Sequence, residues 1–246
     1  MSRYLLKIAY EGTAYHGWQV QSNAVAVQTV LQDAMQPILG ERPNVSGCSR
    51  TDSGVHAAEY CLHFDYDKKQ LIGSKFCYAL NRMLPKDISA ISCDEVSNDF
   101  HARYSCVGKQ YVYRIYNAPL RNAFYERIWY HYRYNLNENV LDKAAKAFIG
   151  THDFIGFCSV GGKMHDTVRT VTRFDVVRNG DEVLFIVEAD GFLYNMVRIM
   201  VGTLLFVAMG KINPEEISDI IESKDRKRAG ITAPAIGLTL NKVFYN

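Results

Sequence analysis

In the stretch GCSRTDSGVHA, residues 47–57, an arginine, a carboxylate and an imidazole (Arg50, Asp52 and His56) fall within seven positions. Gly47, Ser53 and Gly54 mark a loop, and the β-rich segments Val45–Ser49 and Glu59–Tyr66 predict a strand on either side of it. A rigid scaffold commonly exposes reactive groups on such a loop, and a carboxylate placed there can act as a nucleophile. Covalent glycoside chemistry of the retaining kind would want a second carboxylate about 5 Å away. The nearest in sequence, Glu59, lies beyond the loop at the start of a strand, so the pattern reads as a single carboxylate. A metal-dependent nuclease built on Asp52 and His56 would need further clustered ligands. His152-Asp153 and His165-Asp166 are present but form no convincing constellation in sequence. On spacing alone, a plainer reading is favoured: a tight turn in which Asp52 caps an amide and Arg50 makes a surface ion pair.

The elements that must position these groups follow from periodicity. RYLLKIAY, residues 3–10, alternates as a strand, and Val27–Leu39 has helical spacing closed by Gly40. After the loop, Lys75–Met83 is predicted as a helix ahead of Pro85, and Asp87–Val96 as a strand. The order β-α-β-β-α-β describes a split βαβ arrangement. The second half repeats this grammar. Lys109–Tyr116 alternates strongly, and Val140–Ile149 reads as a helix ended by Gly150. Val168–Val177 and Val183–Ala189 are strands joined by the turn Arg178-Asn179-Gly180-Asp181. Phe192–Met209 is an apolar helix, Pro214–Ser223 a shorter one and Leu238–Phe244 a closing strand. The class expected is α+β, with two similar α/β halves, residues 1–107 and 108–246, sharing a largely antiparallel central sheet. No low-complexity linker separates the halves.

Of the 246 residues, 48% are hydrophobic and 22% charged, the composition of a globular chain with a real core. The N-terminus turns polar too soon for a signal peptide, and no apolar run reaches the length of a membrane span. The six cysteines are scattered without a CxxC pair, which speaks against a zinc site and for free thiols in a reducing cytoplasm. Net charge is only +2, so a nucleic-acid partner would have to be met by local patches. Candidates are Arg114–Arg133, with interleaved tyrosines, and KDRKR at 224–228, which reads more readily as a solvated face.

RTDSGVHA resembles the signature loop of the tRNA pseudouridine synthase A family, whose aspartate falls on Asp52. Other segments are similar to that family in order: YEGTAYHGWQVQ with Val27-Gln28, FHARYSCVGKQYVY (100–113), GTHDFIGF (150–157), Thr167-Val168-Arg169, GFLYNMVRIMVG (191–202) and APAIGL (233–238). Ser49 departs from the glycine common before the arginine, without removing a chemical group. The resemblance implies a pseudouridine synthase-like fold and a cofactor-free, metal-free isomerisation of uridine in the tRNA anticodon stem-loop, at positions 38 to 40. It also implies a cytoplasmic homodimer gripping one tRNA.

Under that resemblance Asp52 is the nucleophile. Arg198, an arginine amid Met196, Val197, Ile199, Met200 and Val201, is expensive to bury unless paired, and is expected to offset the cost of ionising Asp52. Tyr111 matches the tyrosine that packs on the target base, with Tyr113 left structural. Arg50 is expected to fill the space of the flipped uridine and hold a phosphate. His101, Arg103 and Lys109 are expected along the RNA groove. His56 reads as a loop-ordering partner, and Gly17, Trp18 and Gln19 as either RNA-facing or loop-packing. A non-catalytic RNA-binding module of the same fold is the alternative; there Asp52→Ala would leave every biological effect intact.

Overall fold

The structure, a computed structural model, describes residues 2–68, 70–159 and 166–246. The chain divides into two compact units, Met1–Val107 with Leu240–Asn246, and Gly108–Thr239. In chain order the elements leading up to the division are β1 (Ser2–Tyr10), α1 (Val27–Leu39), β2 (Val45–Gly47), β3 (His56–Tyr66), α2 (Gly73–Met83) and β4 (Ile88–Val96). Then come β5 (Cys106–Tyr116), β6 (Tyr130–His131), α3 (Glu138–Ala145), β7 (Gly150–Asp153), β8 (Val168–Asn179) and β9 (Glu182–Ala189). Helices α4 (Met196–Ala208) and α5 (Ile217–Ser223) and the strand β10 (Leu238–Tyr245) complete the chain.

In the first unit the strands lie in the order β4-β1-β3-β10, with β2 also paired to β3. Strand β1 is central because its alternation buries Tyr4, Leu6, Ile8 and Tyr10 on one face. Its partners β3 and β4 are both antiparallel to it. Helix α1 covers apolar surface with Val27, Leu31, Ala34, Met35 and Leu39. It stops at Gly40, whose φ of 78° lets its N–H return to the Gln36 carbonyl. Its first N–H groups are satisfied by loop carbonyls, Val27 by Gly17 at 3.1 Å and Gln28 by Trp18 at 3.0 Å. Helix α1 therefore fixes the backbone of the loop that precedes it.

The second unit orders its strands β5-β9-β8-β7, all antiparallel neighbours, with the short β6 parallel to β5. The β8–β9 hairpin turns at Gly180, φ 58°, as the sequence predicts. Both units thus show the α+β class. The limits of helices α3 and α4 differ from expectation. Helix α3 begins two residues early, where the Asn137 side chain accepts the Asn139 and Val140 N–H groups, and it ends at Ala145. A single 3-10 turn, Lys146–Phe148, follows, so Gly150 opens β7 instead of closing a helix. Helix α4 starts at Met196 and not at Phe192, because Asn195 takes a left-handed conformation, φ 61°. The short strands β6 and β7 have too few residues to show a period. All six cysteines are free thiols. No helix among the described residues is long and apolar enough to cross a membrane.

Candidate active site

Strands β2 and β3 deliver the loop. They pair antiparallel with Val45 opposite Phe64 and Gly47 opposite Leu62, and the Cys48 N–H donates to the Cys61 carbonyl at 2.8 Å. The chain then leaves the ladder and returns at His56, earlier than the sequence suggests, because β3 already pairs with β1 at Ala57. Asp52 opens a four-residue turn closed by the Val55 N–H on its carbonyl at 3.1 Å. Gly54 occupies the third position with φ 77°, where a side chain would be strained. Asp52 itself is half-buried.

The segment Gly12–Trp18 holds this loop from outside. Trp18 N–H donates to the Thr51 carbonyl at 3.2 Å, and Gly54 N–H to the Tyr15 carbonyl at 3.2 Å. Ser53 Oγ donates to the same Tyr15 carbonyl at 3.3 Å, and the Tyr10 and Thr51 hydroxyls share a buried bond of 2.8 Å. The Tyr60 hydroxyl donates to the Ser49 carbonyl, and the Trp18 ring stacks on Tyr60 with centroids 4.1 Å apart. These contacts pack Gly17 and Trp18 against the loop. Their backbones approach so closely that a Cβ on Gly12 would sit 2.0 Å from the Val55 carbonyl oxygen, and one on Gly17 2.4 Å from that of Thr51. A Cβ on Gly47 would sit 2.1 Å from the Tyr60 hydroxyl. Sequence reasoning left this role open for Gly17 and Trp18 and missed it for Gly12, for which the first glycine of YEGTAYHG was the available signal.

His56 is buried, and its Nδ1 accepts the Gly12 N–H at 2.9 Å. The Glu11 carboxylate lies 3.6 Å from the same nitrogen. His56 orders the loop.

Beside the loop lies a cavity of about 200 Å³, lined among others by Trp18, Gln19, Gln28, Ser49, Arg50, His101, Arg103 and Tyr104. The structure thus brings Arg50, His101 and Arg103 together. Arg50 is exposed. The segment carrying His101 and Arg103 is a built turn. Arg3 pairs with Asp65 and donates to the Asn98 and Phe100 carbonyls at 2.7 and 2.9 Å. His63 Nδ1 accepts the Ala102 N–H at 3.1 Å, and the Tyr245 hydroxyl donates to the Ala102 carbonyl at 2.7 Å. Burial, and then the neighbouring His101 and Arg3, push the His63 imidazole down to about 4, so it is neutral at pH 7.

In the second unit Tyr111 is buried on β5, edge-on to Phe192 at 5.1 Å. Lys109, two residues earlier, is half-buried. Tyr113 is fully buried and donates to the Pro234 carbonyl at 2.8 Å, and burial raises its hydroxyl well above the usual tyrosine range. Arg198 on α4 donates through Nε to the Ala233 carbonyl at 2.7 Å and through a terminal nitrogen to Asn195 Oδ1 at 2.6 Å. The Ala233 N–H returns to the Arg198 carbonyl at 3.1 Å. Close packing assists this clamp, since a Cβ on Gly202 would lie 1.8 Å from the Ile231 carbonyl oxygen.

His152 and Asp153, which a metal-dependent reading would enlist, are otherwise engaged. His152 Nε2 contacts the Ile149 carbonyl at 3.2 Å; Asp153 accepts from Thr167 and pairs with Lys224 at 2.8 Å. His165 lies outside the described residues. Among the described residues no group of three His, Cys, Asp or Glu stands where it could hold a metal. In the KDRKR stretch, expected as a solvated face, Lys224 makes that ion pair and Arg226 donates to the Gly230 carbonyl at 2.8 Å.

A family model described as tRNA pseudouridine synthase matches residues 7–105 and 144–246. A protein named tRNA pseudouridine synthase A from Ruminiclostridium cellulolyticum is 48% identical over 246 residues, covering 100% of both chains. Proteins of the same name from Thermoanaerobacter sp. (strain X514) and Acetivibrio thermocellus are 46% and 48% identical over 245 and 240 residues; the first covers 100% and the second 98% of each chain. Among solved structures, a chain of a Cbf5-Nop10-Gar1 complex aligns with 82% of this chain and 53% of its own, at 11% identity and a TM-score of 0.38, too slight a likeness to carry weight. With the match spanning most of the sequence and the relatives spanning all of it, this chain belongs to the tRNA pseudouridine synthase family.

Proposed function

We propose that this tRNA pseudouridine synthase isomerises uridine in the anticodon stem-loop, at positions 38 to 40, with Asp52 as its nucleophile and no cofactor. The observation that supports Asp52 is the buttressed loop. Bonds and packing from residues 10–18, together with Tyr60, hold a half-buried carboxylate on a turn whose shape only glycine at position 54 permits without strain. Such preorganisation is what positioned catalysis requires.

The reaction breaks the N1–C1′ bond, turns the uracil in place, forms a C5–C1′ bond and releases the C5 hydrogen as a proton, while N1 takes up a proton. Uracil can leave as a delocalised anion, so one carboxylate suffices. Attack at C1′, attack at C6 and removal of a 2′ proton all begin from an ionised Asp52. In this reading Arg198, its guanidinium already oriented by Ala233 and Asn195, supplies the positive charge that favours ionisation. Tyr111 stacks on the detached base, with its hydroxyl available for proton transfer at C5. Arg50 takes the space of the flipped nucleotide, and His101, Arg103 and Lys109 hold phosphates. Two copies of the chain, working in the cytoplasm, grip one tRNA.

The test is tritium release from tRNA carrying [5-³H]uridine, in EDTA, with wild type and Asp52→Ala. Release with the wild type, and none with a variant that still binds tRNA, is expected. Release that persists in the variant removes Asp52 from this role. Binding by both without release by either favours a non-catalytic module.

A further inference from the structure

Tyr104 is 78% exposed, yet its position is rigidly set. Its N–H donates to His101 Nδ1 at 3.4 Å, and the Arg103 N–H reaches the same nitrogen at 3.1 Å. The Ser105 N–H closes the turn on the His101 carbonyl at 2.8 Å, and Ser105 Oγ accepts the His101 N–H at 2.9 Å. The Tyr104 ring lies 4.4 Å from the His101 ring and 5.9 Å from the Arg103 guanidinium carbon. An aromatic side chain held this firmly while left in water gains little for the fold by that exposure. It faces the cavity that Arg50 and Arg103 also line, and among the described residues no carboxylate lines that cavity. An exposed ring beside guanidinium groups that line the same cavity matches single-stranded nucleic acid, in which each base offers a face and each linkage a negative charge.

We propose that this cavity is a subsite for an unpaired nucleotide adjoining the target uridine, with its base stacked on Tyr104 and its phosphate between Arg50 and Arg103. His101, whose Nδ1 accepts two backbone N–H groups, presents Nε2–H as a further donor to the phosphate or ribose. The inference rests on the proposed reaction at Asp52, because it takes the cavity's position beside the loop as its position along the RNA.

The experiment measures equilibrium binding and single-turnover tritium release with wild type, Tyr104→Ala and Tyr104→Phe. The substrates are the labelled stem-loop and two versions with an abasic site immediately 5′ or 3′ of the target uridine. Tyr104→Ala is expected to weaken binding of the intact stem-loop about tenfold or more. Tyr104→Phe, which keeps the ring, should bind as wild type. One abasic stem-loop should lose the same factor with wild type and nothing further with Tyr104→Ala. Wild-type binding by Tyr104→Ala overturns the subsite, and so does an equal loss on the intact and both abasic stem-loops. Because binding is read separately from release, an active Asp52→Ala variant would overturn the nucleophile assignment while leaving the Tyr104 result readable.

Discussion

A single missing methyl group governs how near the N-terminal segment comes to the Asp52 loop. At Gly12 the obstacle to a Cβ is the Val55 carbonyl oxygen at 2.0 Å, and a backbone atom in a turn cannot step aside as a side-chain tip can. Gly12→Ala must therefore move the loop, and the same glycine's N–H is the one His56 accepts. A misplacement of about 1 Å can cost on the order of 100-fold in rate. The expected outcome is a fall of roughly that size in single-turnover tritium release, with tRNA binding changed far less. Gly210→Ala separates this clash from backbone strain. Gly210 is left-handed, φ 68°, as Gly12 is not, and a Cβ there meets nothing within 4 Å. It should lose about 1 kcal/mol of stability and keep full activity. Equal activity in the two variants would show that the close approach at Gly12 is not what places Asp52.

Among the elements, the turn from 97 to 105 depends on a histidine that must stay neutral. His63 Nδ1 accepts the Ala102 N–H, and a protonated ring would have a donor there instead. The groups around it are His101, Arg3 and Asp65, and with burial they hold it down to about 4, against an ordinary value of 6.5. The unfolded chain therefore binds the extra proton first as pH falls. Stability from this group is complete above about pH 6.5 and is lost progressively toward pH 4, by about 3 kcal/mol. Thermal melts across that range should show the loss in wild type. His63→Asn, whose amide oxygen can accept the same N–H, should flatten it; an unchanged slope would assign the acid sensitivity elsewhere. Elements of this kind divide cleanly by what the sequence could convey. Strands β1, β8 and β9 were legible because one buried face imposes a period of two. The end of α3 was not, because Gly150 carries the same signal whether it closes a helix or opens a strand, and the start of α4 was hidden by Phe192 and Leu193, apolar residues outside the helix. Asp52, Arg50 and Arg103 stood out through motifs. The work of Gly12 did not, and that of Gly17 and Trp18 stayed undecided, since it consists of contacts to residues about 35 to 45 positions away, which no local period records.

For the whole molecule, the constraint is a polyanionic substrate and a net charge of only +2. Binding that rests on phosphates must then come from cations placed on the substrate path, not from the average field. Many of the other basic side chains are committed to the fold. Lys146 is held by Asp142 at 2.7 Å and Asp175 at 2.8 Å, and Arg178 by Glu138 at 2.8 Å. Arg50 and Arg103 are exposed and line the cavity, and Lys109 is half-buried on β5. Each phosphate neutralised releases counterion, so the logarithm of the tRNA affinity should fall linearly with the logarithm of salt concentration. Replacing Arg50, Arg103 or Lys109 by glutamine, one at a time, should lower that slope by about one. Lys146→Gln should leave the slope unchanged, because its charge is already neutralised within the protein. Asp52→Asn should also leave it unchanged, since in its proposed role the carboxylate meets the sugar or base and releases no counterion. A slope that ignores the first three substitutions while responding to Lys146→Gln would move the RNA path off the Asp52 face of the first unit and off β5.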